Sequence, residues 1–275
     1  MEQRVKELIV GGVRAVFNDQ AGGESPVVRR TDGLFGPASI AWRVHGDVTT
    51  MMVGGIAALL LQMLHPAVLA GVWDHSNFRN DMLGRLRRTA RFIAVTTYGG
   101  RDEAERAIER VRRIHDVVQG TLDDGQSYSA SDPELLGWVH ATETLCFLDS
   151  WRRYGEPDMP LSEQDRYFDE VARVARRLGA VSVPTSRSET IGYIEAMRPS
   201  LRVDARTREI ARVLRYHRPE SLAALPVQQM VFQAGIDLLP AWARRMHGFR
   251  SSGLTRPLVD GSTLGMARML RWAFR

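Results

Sequence analysis

The stretch Val48–Leu64, VTTMMVGGIAALLLQML, would be apolar on almost every face of a helix. Such a helix must be covered on all sides, so the rest of the chain has to supply the cover. Its uninterrupted apolar part falls short of the roughly 20 residues that span a bilayer. His65-Pro66 closes it, because the residue before a proline is pushed out of the α region. A buried core helix is expected here, and no transmembrane segment. The opening residues MEQRVKELIVGGVRAVFND place Val5, Leu8, Ile9, Val13, Val16 and Phe17 among charges at helical spacing, without the apolar run of a secretory signal.

Helical periodicity continues through the chain, and no alternating strand pattern interrupts it. A polar linker is expected over 20–33, then a short helix opened by Pro37 and ending near Gly46. Helices are expected over about 81–97, stopped by Gly99-Gly100, and over 101–119, stopped by Gly120. A turn over Tyr128–Asp132 leads to Ser131, Pro133 and Glu134, a capping box that predicts a long helix to Tyr154. Another helix follows Ser162, carrying Tyr167, Phe168, Val171, Val174 and Leu178. Four more are expected over 186–197, 203–217, 227–246 and 259–274, with a break at Pro219–Pro226. No linker or repeat divides the chain, so one all-α domain over residues 1–275 is expected.

Composition removes several classes. With 44% hydrophobic and 25% charged residues the chain is not of the disordered type. One cysteine, Cys146, excludes an internal disulfide and a cysteine cluster for zinc or iron–sulfur, and favours a reducing cytoplasm. The net charge of +5 could suit a nucleic acid, but Lys6 is the only lysine and the arginines sit beside acids, as in RDEAERAIERVRR. That pattern reads as a solvated helix face, and no helix-turn-helix stands out, so no nucleic-acid partner is expected. Phosphate-binding glycine loops, a G-x-S-x-G elbow and H-E-x-x-H are absent.

Four groups of residues remain as candidates for chemistry. His115 falls with Ile108, Val111 and Val118 on the apolar stripe of its helix. A buried imidazole needs partners, which can be a carbonyl, a hydroxyl or a metal ion, and periodicity alone favours the first two. Arg85 and Thr89, one turn apart, could bind a carboxylate together, although Arg87 and Arg88 beside them dilute the signal. Gln62, His65, Trp73 and His75 surround the end of the buried helix, either facing a ligand pocket or solvating a turn. His140 and Glu143 form an H-x-x-E, for which a structural role is favoured because two ligands rarely make a metal site.

The order of segments is more specific than any one of them. WRVHGD, LLLQMLHPAVLAGVWDHSNF, RLRRTARFIAVTTYGG, RRIHDVVQGT and YSASDPELLGWVHAT follow one another between Phe35 and Leu201. In sequence and spacing they resemble the MpaB-type oxygenases, the family that includes the latex-clearing rubber oxygenases. The resemblance implies a b-type haem in an all-helical, globin-related core. It implies that the iron ligand is His115, and that Arg85 and Thr89 line the haem pocket near the propionates. Arg88 stands where rubber oxygenases carry a lysine able to cover the iron, and a guanidinium stays protonated. Their glutamate base has no counterpart between His65 and Arg85, where only Asp74 and Asp81 occur, so cleavage of polyisoprene is not expected.

The resulting expectation is a haem b-dependent oxygenase that acts with dioxygen on a small apolar substrate, of prenyl, lipid or aromatic type. His65 and His75 are assigned to its distal or entrance side as catalytic candidates. The alternatives are a haem sensor or carrier without catalysis, an arginine-rich nucleic-acid binder, and a non-haem metal enzyme built on His140 and Glu143.

Overall fold

The computed structural model describes residues 2–17, 25–216 and 225–274. Residues 20–24 of the expected polar linker, His217, and 219–224 of the expected break lie outside the described residues. Among those described, thirteen α-helices, two single-turn 3-10 helices (Arg198–Ser200 and Gly253–Thr255) and one very short hairpin account for the regular structure. They are α1 (Glu2–Phe17), α2 (Ile40–His45), α3 (Val48–Gln62), α4 (Pro66–His75), α5 (Met82–Tyr98) and α6 (Arg101–Val117). After the strands β1 (Gln119–Thr121) and β2 (Ser127–Ser129) come α7 (Pro133–Tyr154), α8 (Leu161–Leu178), α9 (Arg187–Met197), α10 (Ala205–Tyr216), α11 (Leu225–Leu238), α12 (Ala241–His247) and α13 (Arg256–Ala273).

The apolar stretch forms α3, and its cover comes from α7 on one side and from α11 and α13 on others. Val53, Ala57, Leu60 and Leu61 of α3 are buried, as are Trp138, Phe147 and Leu148 of α7. The two helices approach closely at Gly54. A Cβ there would lie 2.9 Å from the Cys146 carbonyl oxygen and 2.9 Å from the Phe147 ring. The start of α3 is fixed by Asp47, whose carboxylate accepts from Thr50 N at 2.8 Å and from Arg271 Nε of α13 at 2.5 Å. One buried carboxylate thus caps the central helix and ties the last helix to it.

His65 ends this first arm in extended backbone (φ −84°, ψ 120°), and Pro66 opens α4 at an angle of 106° to α3. No single described helix is long and apolar enough to cross a membrane; α3 and α4 pass such a test only as this bent pair. Beyond α4, α5 and α6 pack against each other and are joined by Gly99-Gly100 alone.

Several boundaries differ from the sequence reading. Helix α6 stops at Val117 rather than Gln119, and Gly120 is not its cap but a residue of β1. Its lack of a side chain has another use, since a Cβ there would meet the Tyr128 hydroxyl at 2.7 Å. The cap of α7 is Asp132, which accepts from Glu134 N, while Ser131 donates to Asp116 instead. The helix expected over 227–246 is two, because Pro240 lacks the N–H needed to continue α11.

The α3–α7 crossing sets a direct stability contrast. Gly54→Ala is expected to destabilise the fold by about 1–3 kcal/mol through overpacking. Gly55→Ala, whose Cβ would meet only Phe147 at 3.9 Å, is expected to be neutral or slightly stabilising. Denaturant midpoints of the two variants check this.

Candidate functional site

Two of the predicted residues, His75 and Arg85, meet at the C-terminal end of α4. His75, on its last turn, donates from Nε2 to the carbonyl of Gln119 at 3.1 Å, which fixes the chain just beyond His115. Ser76, the next residue, accepts from Arg85 Nη1 at 3.1 Å. Arg85 lies in the second turn of α5 and His115 in the last turn of α6. The two-residue connection at the far end returns α6 along α5, so both residues sit at the same end of the pair.

His115 is half-buried, and its Nδ1 is fully enclosed without a hydrogen-bond partner. Burial holds its pKa below the usual histidine value, against the opposing pull of Asp116. The imidazole is therefore neutral at pH 7, with a nitrogen that the protein itself does not satisfy. An enclosed polar atom left in that condition costs on the order of 1–3 kcal/mol. Around it, Ile114 and Val117 stay 49% and 72% exposed, so uncovered apolar surface lies in the same helical turn.

Arg85 is also half-buried, and burial, with Arg88 nearby, holds its pKa below the ordinary arginine value. Thr89 is exposed and returns its hydroxyl to the Arg85 carbonyl at 3.3 Å, a long bond that an incoming acceptor can replace. Arg88 is exposed and paired with Asp81 at 3.1 Å, and Asp81 in turn caps α5 through Gly84 N.

His65 and His75 do not share a place. They stand at opposite ends of α4, ten residues or roughly 15 Å apart along its axis. His65 Nδ1 is enclosed and unpartnered beside the Trp138 ring, at 6.3 Å between centroids. Gln62 faces α7 as well, donating to the Val139 carbonyl at 3.2 Å. Trp73 lies under the Arg79 guanidinium, 3.8 Å from the ring centroid. On α7, His140 has an enclosed, unpartnered Nε2. Among the described residues no group of three or more His, Cys, Asp or Glu side chains is arranged to hold a metal ion, so the H-x-x-E pair lacks a third ligand.

Sequence reasoning gave no role to His45, whose two ring nitrogens are both engaged. Its Nδ1 is hydrogen-bonded with Thr97 Oγ1 at 2.8 Å and its Nε2 with the Tyr167 hydroxyl at 2.9 Å, joining α2, α5 and α8. The signal was available: Ala41 and Val44, four and one residues earlier, mark the buried face of α2.

His115, with an enclosed nitrogen that the protein does not satisfy, and the half-buried Arg85 thus stand on the two helices that the end of α4 touches. Residues 42–272 match the family described as ER-bound oxygenase mpaB/B'/rubber oxygenase, catalytic domain. The chain belongs to this oxygenase family. It is also 32% identical over 166 residues to an uncharacterized protein of Mycobacterium tuberculosis and to one of Mycobacterium bovis. Each match covers 56% of this chain, and the chain spans 62% of the length of those relatives. No solved structure matches the chain significantly.

Buried histidines also set the acid stability. Burial lowers the pKa of His45 from 6.5 to about 3, and burial is likewise the largest cause that takes His65 and His140 to about 4. Below pH 6.5 the unfolded chain binds these protons first, so stability falls as the pH drops toward 4. Glu143 acts oppositely between 4.5 and about 7, because burial raises its carboxyl. Three groups outweigh one. The unfolding free energy is expected to fall from pH 6.5 to 4.5, and to fall further in Glu143→Gln. Urea titrations at the two pH values check both signs; a flat or rising profile contradicts them.

Proposed function

We propose that this chain is a haem b-dependent oxygenase in which His115 holds the iron. The observation that carries the reading is the enclosed, unpartnered Nδ1 of His115, at the position where resemblance to the rubber oxygenases puts their iron ligand. A neutral imidazole is the commonest protein ligand of haem iron, and burial holds the pKa of this one below the ordinary histidine value. The residues present thus fit the group on two counts: a ligand nitrogen without a protein partner and a guanidinium for a propionate.

The chain's own contribution is to bind, orient and exclude water. Arg85 offers a charge-assisted donor to a propionate, and among the described residues Ser76 is the one side chain it need release. Thr89 adds a hydroxyl one turn further along the same face. The bond from His75 to Gln119 keeps the end of α6 against α4 and so holds His115 in place. Haem iron, when bound, supplies the redox centre at which dioxygen is activated. The substrate this reading assigns is a small apolar molecule of prenyl, lipid or aromatic type. Arg88 gives no lysine-like ligand to the iron, since its guanidinium remains protonated and is bound to Asp81.

Two results test the assignment. Haemin-loaded protein is expected to consume dioxygen with at least one substrate in a panel of prenyl alcohols, unsaturated lipids and phenols. Haem-loaded protein that consumes none would favour a sensor or carrier. Arg85→Ala is expected to release haem to apomyoglobin about tenfold faster than the wild type while keeping its helical circular dichroism. Unchanged release would remove Arg85 from the pocket.

A further inference from the structure

A cleft of about 330 Å³ opens at the start of α5, between Arg79, Asp81, Met82 and Leu83 on one wall and Arg212 and Val213 of α10 on the other. Asn80 and Tyr216 complete the lining, and Met82, Leu83, Val213 and the Tyr216 ring form its apolar part. Met82 is 5% exposed and lies seven residues before Thr89, so it shares a helix face with Arg85, Leu86 and Thr89. The cleft is the outer end of the face on which the proposed haem contacts stand.

The charges around it are unequal in how far they are already used. Arg212 holds Glu209 with two hydrogen bonds, at 2.9 and 2.6 Å. Asp81 accepts from Gly84 N at 2.8 Å and from Arg88 at 3.1 Å. Arg79 is exposed and has no carboxylate within ion-pair distance among the described residues, although its charge acts on Glu209 from further away. Its guanidinium is instead set against two rings, 3.8 Å from the Trp73 centroid and 4.8 Å from that of Phe78. Stacking fixes the plane of the guanidinium and leaves its N–H edge as the unspent donor set.

We propose that this cleft admits an apolar carboxylic acid, with its carboxylate on the edge of Arg79 and its chain along Met82, Leu83 and Val213 toward the Arg85 face. A planar fork of donors matches a carboxylate. A monoanion also meets less repulsion from Asp81 and Glu209 than a doubly charged phosphate monoester would. The proposal rests on the oxygenase reading only in making this acid the substrate; the binding site stands on Arg79 and the cleft alone.

The test is calorimetric titration of the full chain with dodecanoate and with dodecanol, both below their aggregation limits. Dodecanoate is expected to bind at least about tenfold more tightly than dodecanol. Arg79→Gln should erase that difference without changing the affinity for dodecanol, and Arg79→Lys should restore part of it. Arg152→Gln, in a separate cleft with Asp149, Arg187 and Asp237, should change nothing. Equal affinity for acid and alcohol, absence of binding, or an acid preference that survives Arg79→Gln would each overturn the proposal. Haemin titration of the same samples separates the two readings. Arg79-dependent acid binding in a protein that takes up no haem would leave the cleft standing and remove the oxygenase reading. Haem uptake without acid binding would do the reverse.

Discussion

The fold depends on one constraint: a helix that is apolar on nearly all sides has to be enclosed. Helix α3 meets it by crossing α7 closely enough that Gly54 admits no side chain, with α11 and α13 closing the remaining faces. The enclosure is anchored at one end by Asp47, which caps α3 and binds Arg271 of the last helix. At the other end, Pro66 turns the chain through 106° and sends α4 toward the α5–α6 pair. The candidate site is therefore built at the far end of an arm whose base is the protein's most buried helix.

That geometry explains how residues distant in sequence come to share a place. The end of α4 touches both partners of the site, α5 through Ser76 and Arg85, and the chain after α6 through His75 and Gln119. Two of the four bonding groups involved, the His75 and Ser76 side chains, sit at a helix terminus, which is where an apolar helix has freedom to present them. The result is a pair of helices held together by their neighbour while leaving a neutral imidazole nitrogen unsatisfied. His65 and His140 also enclose an unpartnered ring nitrogen, so it is the family position of His115 that singles it out.

Much of this was legible in the sequence, for physical reasons that can be named. The long periodic segments gave the helices, and Pro66, Gly99-Gly100 and Pro133 gave their ends, because these residues act on the backbone locally. The α5–α6 pair, with Arg85, Thr89 and His115 on it, was visible from spacing and from resemblance to the oxygenase family. What failed to show was tertiary. Three-residue strands at 119–121 and 127–129 carry too few side chains to display a period of two. Gly120 looked like a helix stop, whereas its bareness serves the Tyr128 ring, a contact that no local rule contains. His65 and His75 looked adjacent because they are close in sequence, yet a straight helix holds them apart. His45 gave no sign of its two partners, since Thr97 and Tyr167 lie 52 and 122 residues away.

The central claim is that His115 holds a haem, and the absorption spectrum of the purified protein tests it most directly. Protein produced with haem supplied, measured before and after dithionite, is predicted to show a strong Soret band that shifts on reduction. The band is predicted to be lost in His115→Ala while the helical circular dichroism remains. A wild-type protein that stays colourless and takes up no added haemin would contradict the account. A His115→Ala variant that loads haem as the wild type does would contradict the ligand assignment.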